Sequence, residues 1–200
     1  MDMMIAPPGL AGVVVADTEI GDVRGNEGFY HYRQHNAIDL ARTRTFEEVW
    51  YLFVHGHLPD ADELTEFTTT VRGLRCTPDE LDGMLRTVAL LGGERDSLAG
   101  LRTLLSACGP ALRVRPMWDA PEDERIADAL HACAMTPTIL AALYRIRAGE
   151  DPVAPHPTLP VAANWLYMVT GREPDPRHAR AVEQYLIATM DHGFNASTFT

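Results

Sequence analysis

The chain has 200 residues and a mass of 22.1 kDa, 46% of it apolar and 22% charged, which is enough for one packed domain and excludes disorder throughout. Seventeen basic against 28 acidic residues leave a net charge of −11, spread along the sequence, which disfavours nucleic-acid and anionic-membrane partners. All 17 cations are arginine, so there is no primary amine for a Schiff base or a Walker-type phosphate site. Cys76, Cys108 and Cys133 are an odd set without metal or disulfide spacing, which fits a reducing cytoplasm.

Residues 1–20 carry no basic residue ahead of the short apolar run 9–16, and so lack the start of a signal peptide. No stretch approaches roughly 18 uninterrupted apolar residues, so a soluble, intracellular protein is expected. Val13-Val14-Val15 and Phe29-Tyr30-His31-Tyr32-Arg33 read as the strands of a small hairpin, with the glycine-rich segment 21–28 as its turn. The pattern then becomes helical. Thr45-Phe46-Glu47-Glu48 is a capping box that predicts a helix from Phe46 to His55, stopped by Gly56.

Further helix starts are marked by Asp60 with Glu63, by Thr77-Pro78-Asp79-Glu80, and near Asp96, the last expected to stop at Gly109-Pro110. Residues 122–148 keep the helical period, with Pro137 predicting a kink or a junction. Four prolines make 152–160 a loop, and two more helices are expected over 162–169 and 179–190. The final residues, Asp191 to Thr200, are polar and aromatic and look like a chain cut in mid-structure.

Most candidate chemistry has a plainer explanation. Glu47-Glu48, Asp79-Glu80 and Glu122-Asp123-Glu124 each fall in a first helical turn, where the dipole favours negative charge, so capping is the expected role. His55 and His57 lack a neighbouring Glu or Cys to complete a metal site. His31 and His35 lie on one side of a strand without a carboxylate partner. His192 stands apart because Asp191, Asn195, Ser197 and Thr198 crowd hydrogen-bonding groups around it. One reading is a helix end capped by Asp191 and Asn195; the other is a pocket in which imidazole and amide N–H groups donate to a substrate's oxygens.

Several segments, in order, resemble the first half of a citrate synthase. They are Gly9 to Thr18, Tyr32-Arg33 with Ile38-Asp39-Leu40-Ala41, Thr45 to Val49, and His55-Gly56-His57-Leu58-Pro59. Asp96 to Thr103, Asn164 to Met168, and Asp191-His192-Gly193-Phe194-Asn195-Ala196-Ser197-Thr198-Phe199 complete the set. Gln34 and Thr189 depart from the family's usual glycine and histidine, and 74–155 match less distinctly.

The resemblance implies a mainly α fold over residues 1–200: a partial large domain with a small N-terminal β-hairpin at about 10–35 and helices over 45–200. The C-terminal half and the small domain are expected to be missing. It also implies a homodimer in which acetyl-CoA condenses with oxaloacetate and the thioester is hydrolysed, an acyltransferase reaction of the tricarboxylic acid cycle needing no metal or other cofactor. By position in the motif, His192 and Asn195 would bind oxaloacetate. The catalytic residues are expected in family segments beyond Thr200, so the isolated chain is expected to be inactive. A 2-methylcitrate synthase, or a non-catalytic short partner subunit, would share these residues. Helices that lack their packing partners should leave apolar surface exposed.

Overall fold

A computed structural model describes residues 13–14, 16–91 and 97–193. The first strand, β1 (Gly21–Arg24), runs antiparallel to β2 (Phe29–Tyr32), with Gly21 opposite Tyr32 and Arg24 opposite Phe29. A two-residue β3 (His35–Asn36) pairs with the other edge of β2.

The hairpin is therefore shifted from the one expected. Val13 and Val14 are exposed and outside any strand, and Val15 lies outside the described residues. The segment expected to be a turn supplies β1, and the reversal is confined to a 3-10 turn over Gly25–Glu27, closed by Gly28 at φ +65°. Charge pairing explains how so polar a segment forms a strand. Arg24 lies 3.9 Å above the Phe29 ring and ion-pairs with Asp22 and Glu27, leaving the backbone free to pair.

A helix not anticipated in the sequence follows, α1 (Ala37–Thr43). The Asn36 side chain caps it, accepting from the N–H groups of Ile38 and Asp39 at 3.0 and 3.1 Å. Two helices carry the expected capping boxes: α2 (Phe46–His55) with Thr45 and Glu48, and α3 (Ala61–Gly73) with Asp60 and Glu63. Gly56 ends α2 at φ +85°. A 3-10 turn over Asp79–Leu81 leads into α4 (Asp82–Leu91).

Helix α5 (Ser97–Leu112) begins beside Asp96, which lies outside the described residues, and it passes through Gly109-Pro110 instead of stopping there. The proline stands in the last turn, and the stop comes from Arg113 at φ +57°, after which Val114 N–H donates to Gly109 C=O at 2.9 Å. Pro137 does not divide the chain into two helices, because α6 (Glu122–Arg147) runs as one 26-residue helix through it. The last two helices are α7 (Val161–Thr170) and α8 (Pro176–Ala188).

Three buried clusters organise these elements. Leu85 and Ala89 of α4, Leu104 and Cys108 of α5, and Met135, Ile139 and Leu143 of α6 form one. Tyr32, Leu40, Val49, Leu52 and Ile187 form a second, joining the sheet to α1, α2 and α8. Tyr51 of α2 with Phe67 and Val71 of α3 form a smaller third. Polar contacts lock α8 onto the second cluster. Arg180 donates to Ala41 C=O at 2.7 Å at the end of α1, and Glu183 accepts from Phe46 N–H at 3.0 Å at the start of α2.

Apolar surface is left uncovered, as expected: Leu90, Leu91, Leu98, Met117 and Trp118 are exposed, Trp118 at 96%. One helix departs from the expectation that no segment suits a bilayer. By length and apolar content α6 can cross a membrane, with a mean hydropathy of 1.4 over its best 18 residues, a third of which are buried in the fold. The expectation counted uninterrupted apolar runs, whereas the polar residues of α6 are interspersed.

Candidate functional site

The backbone leading to His192 is held by two tyrosines of β2. Tyr32 is fully buried, donates to Ile187 C=O at 2.6 Å and accepts from Met190 N–H at 3.1 Å. The Tyr30 hydroxyl lies 2.6 Å from that of Tyr32 and reaches Ala188 C=O at 2.9 Å and Asp191 C=O at 2.6 Å. Burial, then the hydrogen bond with Tyr30, pushes the Tyr32 phenol well above its ordinary value, so it stays a neutral donor. Carbonyls of the α8 end and of the turn after it thus find phenolic partners 155 to 161 residues away, in addition to the 3.3 Å bond from Met190 N–H to Ile187 C=O.

Asp191 turns the chain once more. Its carboxylate accepts from Gly193 N–H at 3.2 Å, Gly193 adopts φ +88°, and a Cβ placed on Gly21 of β1 would run into that carboxylate. His192 itself is exposed between them, free to present its ring to a ligand. Asn195 lies outside the described residues. Asp191 therefore acts as a turn former, whereas the C-terminal turn of α8 is satisfied by the tyrosines.

Several residues take roles other than those read from the sequence. Glu47 was expected to serve the first turn of its own helix. It is 4% exposed and instead accepts from Val161 N–H at 2.8 Å, capping α7 from α2. Beside it Arg75, 3% exposed, donates to Leu159 C=O at 2.7 Å and places Nη2 3.9 Å from Glu47 Oε1. Thr138 of α6 donates to Arg75 C=O at 2.7 Å. Burial pushes the Glu47 carboxyl up and the Arg75 guanidinium down, so desolvation outweighs their mutual attraction. No spacing rule identifies a pair joined by tertiary structure; the only trace is a capping glutamate preceded by a second one.

His57 also has the carboxylate neighbour that the sequence reading denied it: its Nε2 lies 3.2 Å from Glu63 Oε1. The His55 carbonyl and then Glu63 raise the imidazole above its ordinary value. Glu63→Gln is expected to lower the His57 pKa in an NMR pH titration; an unchanged midpoint would refute the pairing. The sign for stability follows. A raised histidine pKa contributes fully below the unfolded value of 6.5 and is lost as pH rises through the folded one. Among the described residues no group of three or more His, Cys, Asp or Glu is placed to hold a metal ion.

His31 and His35 fall on adjacent strands, His31 stacking on Phe29 at 4.0 Å. A cavity of about 320 Å³ opens between α2, α3, α6, α7 and α8, bordered by Met190, two residues before His192.

A family profile described as "Citrate synthase, C-terminal domain" matches residues 9–200. The citrate synthase of Haloferax volcanii is 38% identical over 194 residues, covering 96% of this chain and 50% of that one. A 2-methylcitrate synthase of Mycobacterium tuberculosis is 37% identical over 194 residues, covering 96% and 47%. Among solved structures, the citrate synthase of Thermoplasma acidophilum in ternary complex with carboxymethyl coenzyme A and oxaloacetate superposes with a TM-score of 0.85 at 26% identity. It covers 96% of this chain and 49% of its own. The chain spans about half the length of the curated relatives it matches.

Proposed function

The chain belongs to the citrate synthase family, and on that premise we propose that it supplies the oxaloacetate-binding histidine of a citrate synthase. In this reading the exposed His192 donates an imidazole N–H to the keto diacid, with Asn195 in support. The complete reaction joins the acetyl group of acetyl-CoA to oxaloacetate and releases citrate and CoA. The observation that carries it is the double-tyrosine clamp, which fixes the backbone immediately before His192 while leaving its ring accessible.

Deprotonating a thioester's methyl group needs a base and an enolate stabiliser, and one imidazole cannot supply both. The isolated chain therefore binds without turning over, and activity requires the rest of the family's length. The working enzyme is proposed as a cytoplasmic homodimer that takes the acyl-CoA as substrate and uses no metal or other cofactor. A 2-methylcitrate synthase, using propionyl-CoA, remains a second reading because identity to that relative, 37%, nearly equals the 38% to a citrate synthase. One extra methylene is worth only about 1–3 kcal/mol of pocket discrimination.

The test uses the purified chain. With acetyl-CoA and oxaloacetate, thiol release is expected to stay at background, while oxaloacetate shifts the His192 ring resonances in NMR and leaves those of His178 in place. Turnover at an ordinary enzymic rate would overturn the division of labour, and an unmoved His192 signal would overturn the binding role.

A further inference from the structure

The cavity between α2, α3, α6, α7 and α8 is walled by Trp50, Phe53, Val54, Val71, Leu186 and Met190. It is a groove open to solvent, not an enclosed void, so its almost wholly apolar wall stands against water as an unpartnered surface. The polar exceptions are Asn164, whose Oδ1 accepts from His156 N–H at 2.7 Å, and Arg75. Arg75 is 3% exposed and its Nη2 has no hydrogen-bond partner, a Glu47 carboxylate oxygen lying 3.9 Å away. A buried guanidinium N–H without an acceptor is costly, which marks the position where an acceptor belongs.

The family comparison says what can fill it. Over 96% of its residues the chain holds the arrangement of a relative of which it covers 49%, so the groove exists within a fold whose other half lies outside this sequence. A second copy of this chain is the competing occupant, which dependence on chain concentration distinguishes. Resting on the family reading above, we propose that the groove seats an apolar segment of the polypeptide forming the other half of the family's length, which brings one hydrogen-bond acceptor to Arg75 Nη2.

Cys133 reports on the groove, because it lines the cavity and is exposed, while Cys76 is exposed elsewhere, and Cys108 is buried. Neighbouring apolar atoms push the Cys133 thiol up, so alkylation is run at alkaline pH. The full chain is expressed alone, and also together with the second half of the Mycobacterium tuberculosis relative, and iodoacetamide labelling is followed by peptide mass spectrometry.

Alone, Cys133 is expected to label readily at every chain concentration. In the co-purified complex it should label about tenfold more slowly or less, with Cys76 as the internal reference. Leu186→Asp, on the groove wall, should abolish that protection. Protection that grows with the concentration of the lone chain would make a second copy the occupant and overturn the proposal. So would failure to co-purify, or a complex in which Cys133 stays reactive. Thiol release from acetyl- or propionyl-CoA by the same complex is scored separately: protection without turnover keeps the groove assignment and sinks the functional reading, and turnover without protection does the reverse.

Discussion

Arg75→Leu is expected to destabilise the fold by about 3–5 kcal/mol, because it leaves the Glu47 carboxylate buried without a counter-charge and Leu159 C=O without its donor. For a domain of this size that corresponds to a fall in Tm of roughly 6–20 °C. The effect reaches beyond one ion pair. The Arg75 guanidinium ties the residues following α3 both to Glu47 of α2 and to the segment entering α7, so two tertiary links are lost at once, while the Thr138 bond to the Arg75 backbone carbonyl remains. Thermal unfolding followed by circular dichroism checks it, and a loss below about 1 kcal/mol would show that the pair is not desolvated as described.

The companion Glu47→Gln variant isolates the proton. An acid whose folded pKa is raised favours folding most below its unfolded value of 4.5, and that contribution disappears as pH climbs toward the folded value. Wild-type stability should therefore carry a component that declines over this interval. The Glu47→Gln variant should flatten it, its amide oxygen still accepting from Val161 N–H. Combining both substitutions should cost less than the sum of the two, since no buried charge is then left alone.

The second large effect concerns Tyr32→Phe. Removing one hydroxyl takes the 2.6 Å donor from Ile187 C=O, one acceptor from Met190 N–H and one partner from Tyr30, all beside a side chain with no exposed surface. The helix end is left on the longer 3.3 Å bond from Met190 N–H to Ile187 C=O. A cost of about 1–3 kcal/mol is expected, together with faster amide hydrogen exchange at residues 188–191 and a broadened His192 resonance. Tyr30→Phe, from a half-buried position, should do less. Equal exchange in the wild type and the Tyr32 variant would show that the helix end holds itself.

Helix order was legible because its signals are local. Capping boxes at Thr45 and Asp60, and glycine at 56, act within one turn, so their meaning survives folding unchanged. The hairpin was misplaced because β-branched valines at 13–15 outscored the polar segment 21–24, whose pairing depends on Phe29 and on charges brought together by the turn. Two prolines do not end their helices: Pro110 sits where a terminal turn needs little from its N–H, and Pro137 lies inside a continuous helix, so of the kink and the junction it predicted the junction does not form.

At the site the sequence singled out His192 by the crowding of polar groups around it, yet Tyr30 and Tyr32 read only as strand residues, with no sign that they hold its backbone from more than 150 residues away. Glu47 and Arg75 were invisible for the same reason. Burial is a property of the assembled helices, and no window of neighbouring residues records it.

Helix α6 is a beam roughly 39 Å long at 1.5 Å per residue, and it is clamped at one end. Its fully buried residues run from Ala134 to Ile146; before them, among the described residues, only Leu130 and Ala132, partly buried, pack against the cores, and Glu124 is tied to Arg115. Bending is therefore expected to grow toward Glu122, as a diving board's deflection grows toward its tip, with the groove at Cys133 and Pro137 near the fulcrum. Whatever grips the structure there shortens the free span and stills the tip, so filling that groove stiffens residues a dozen positions away without touching them.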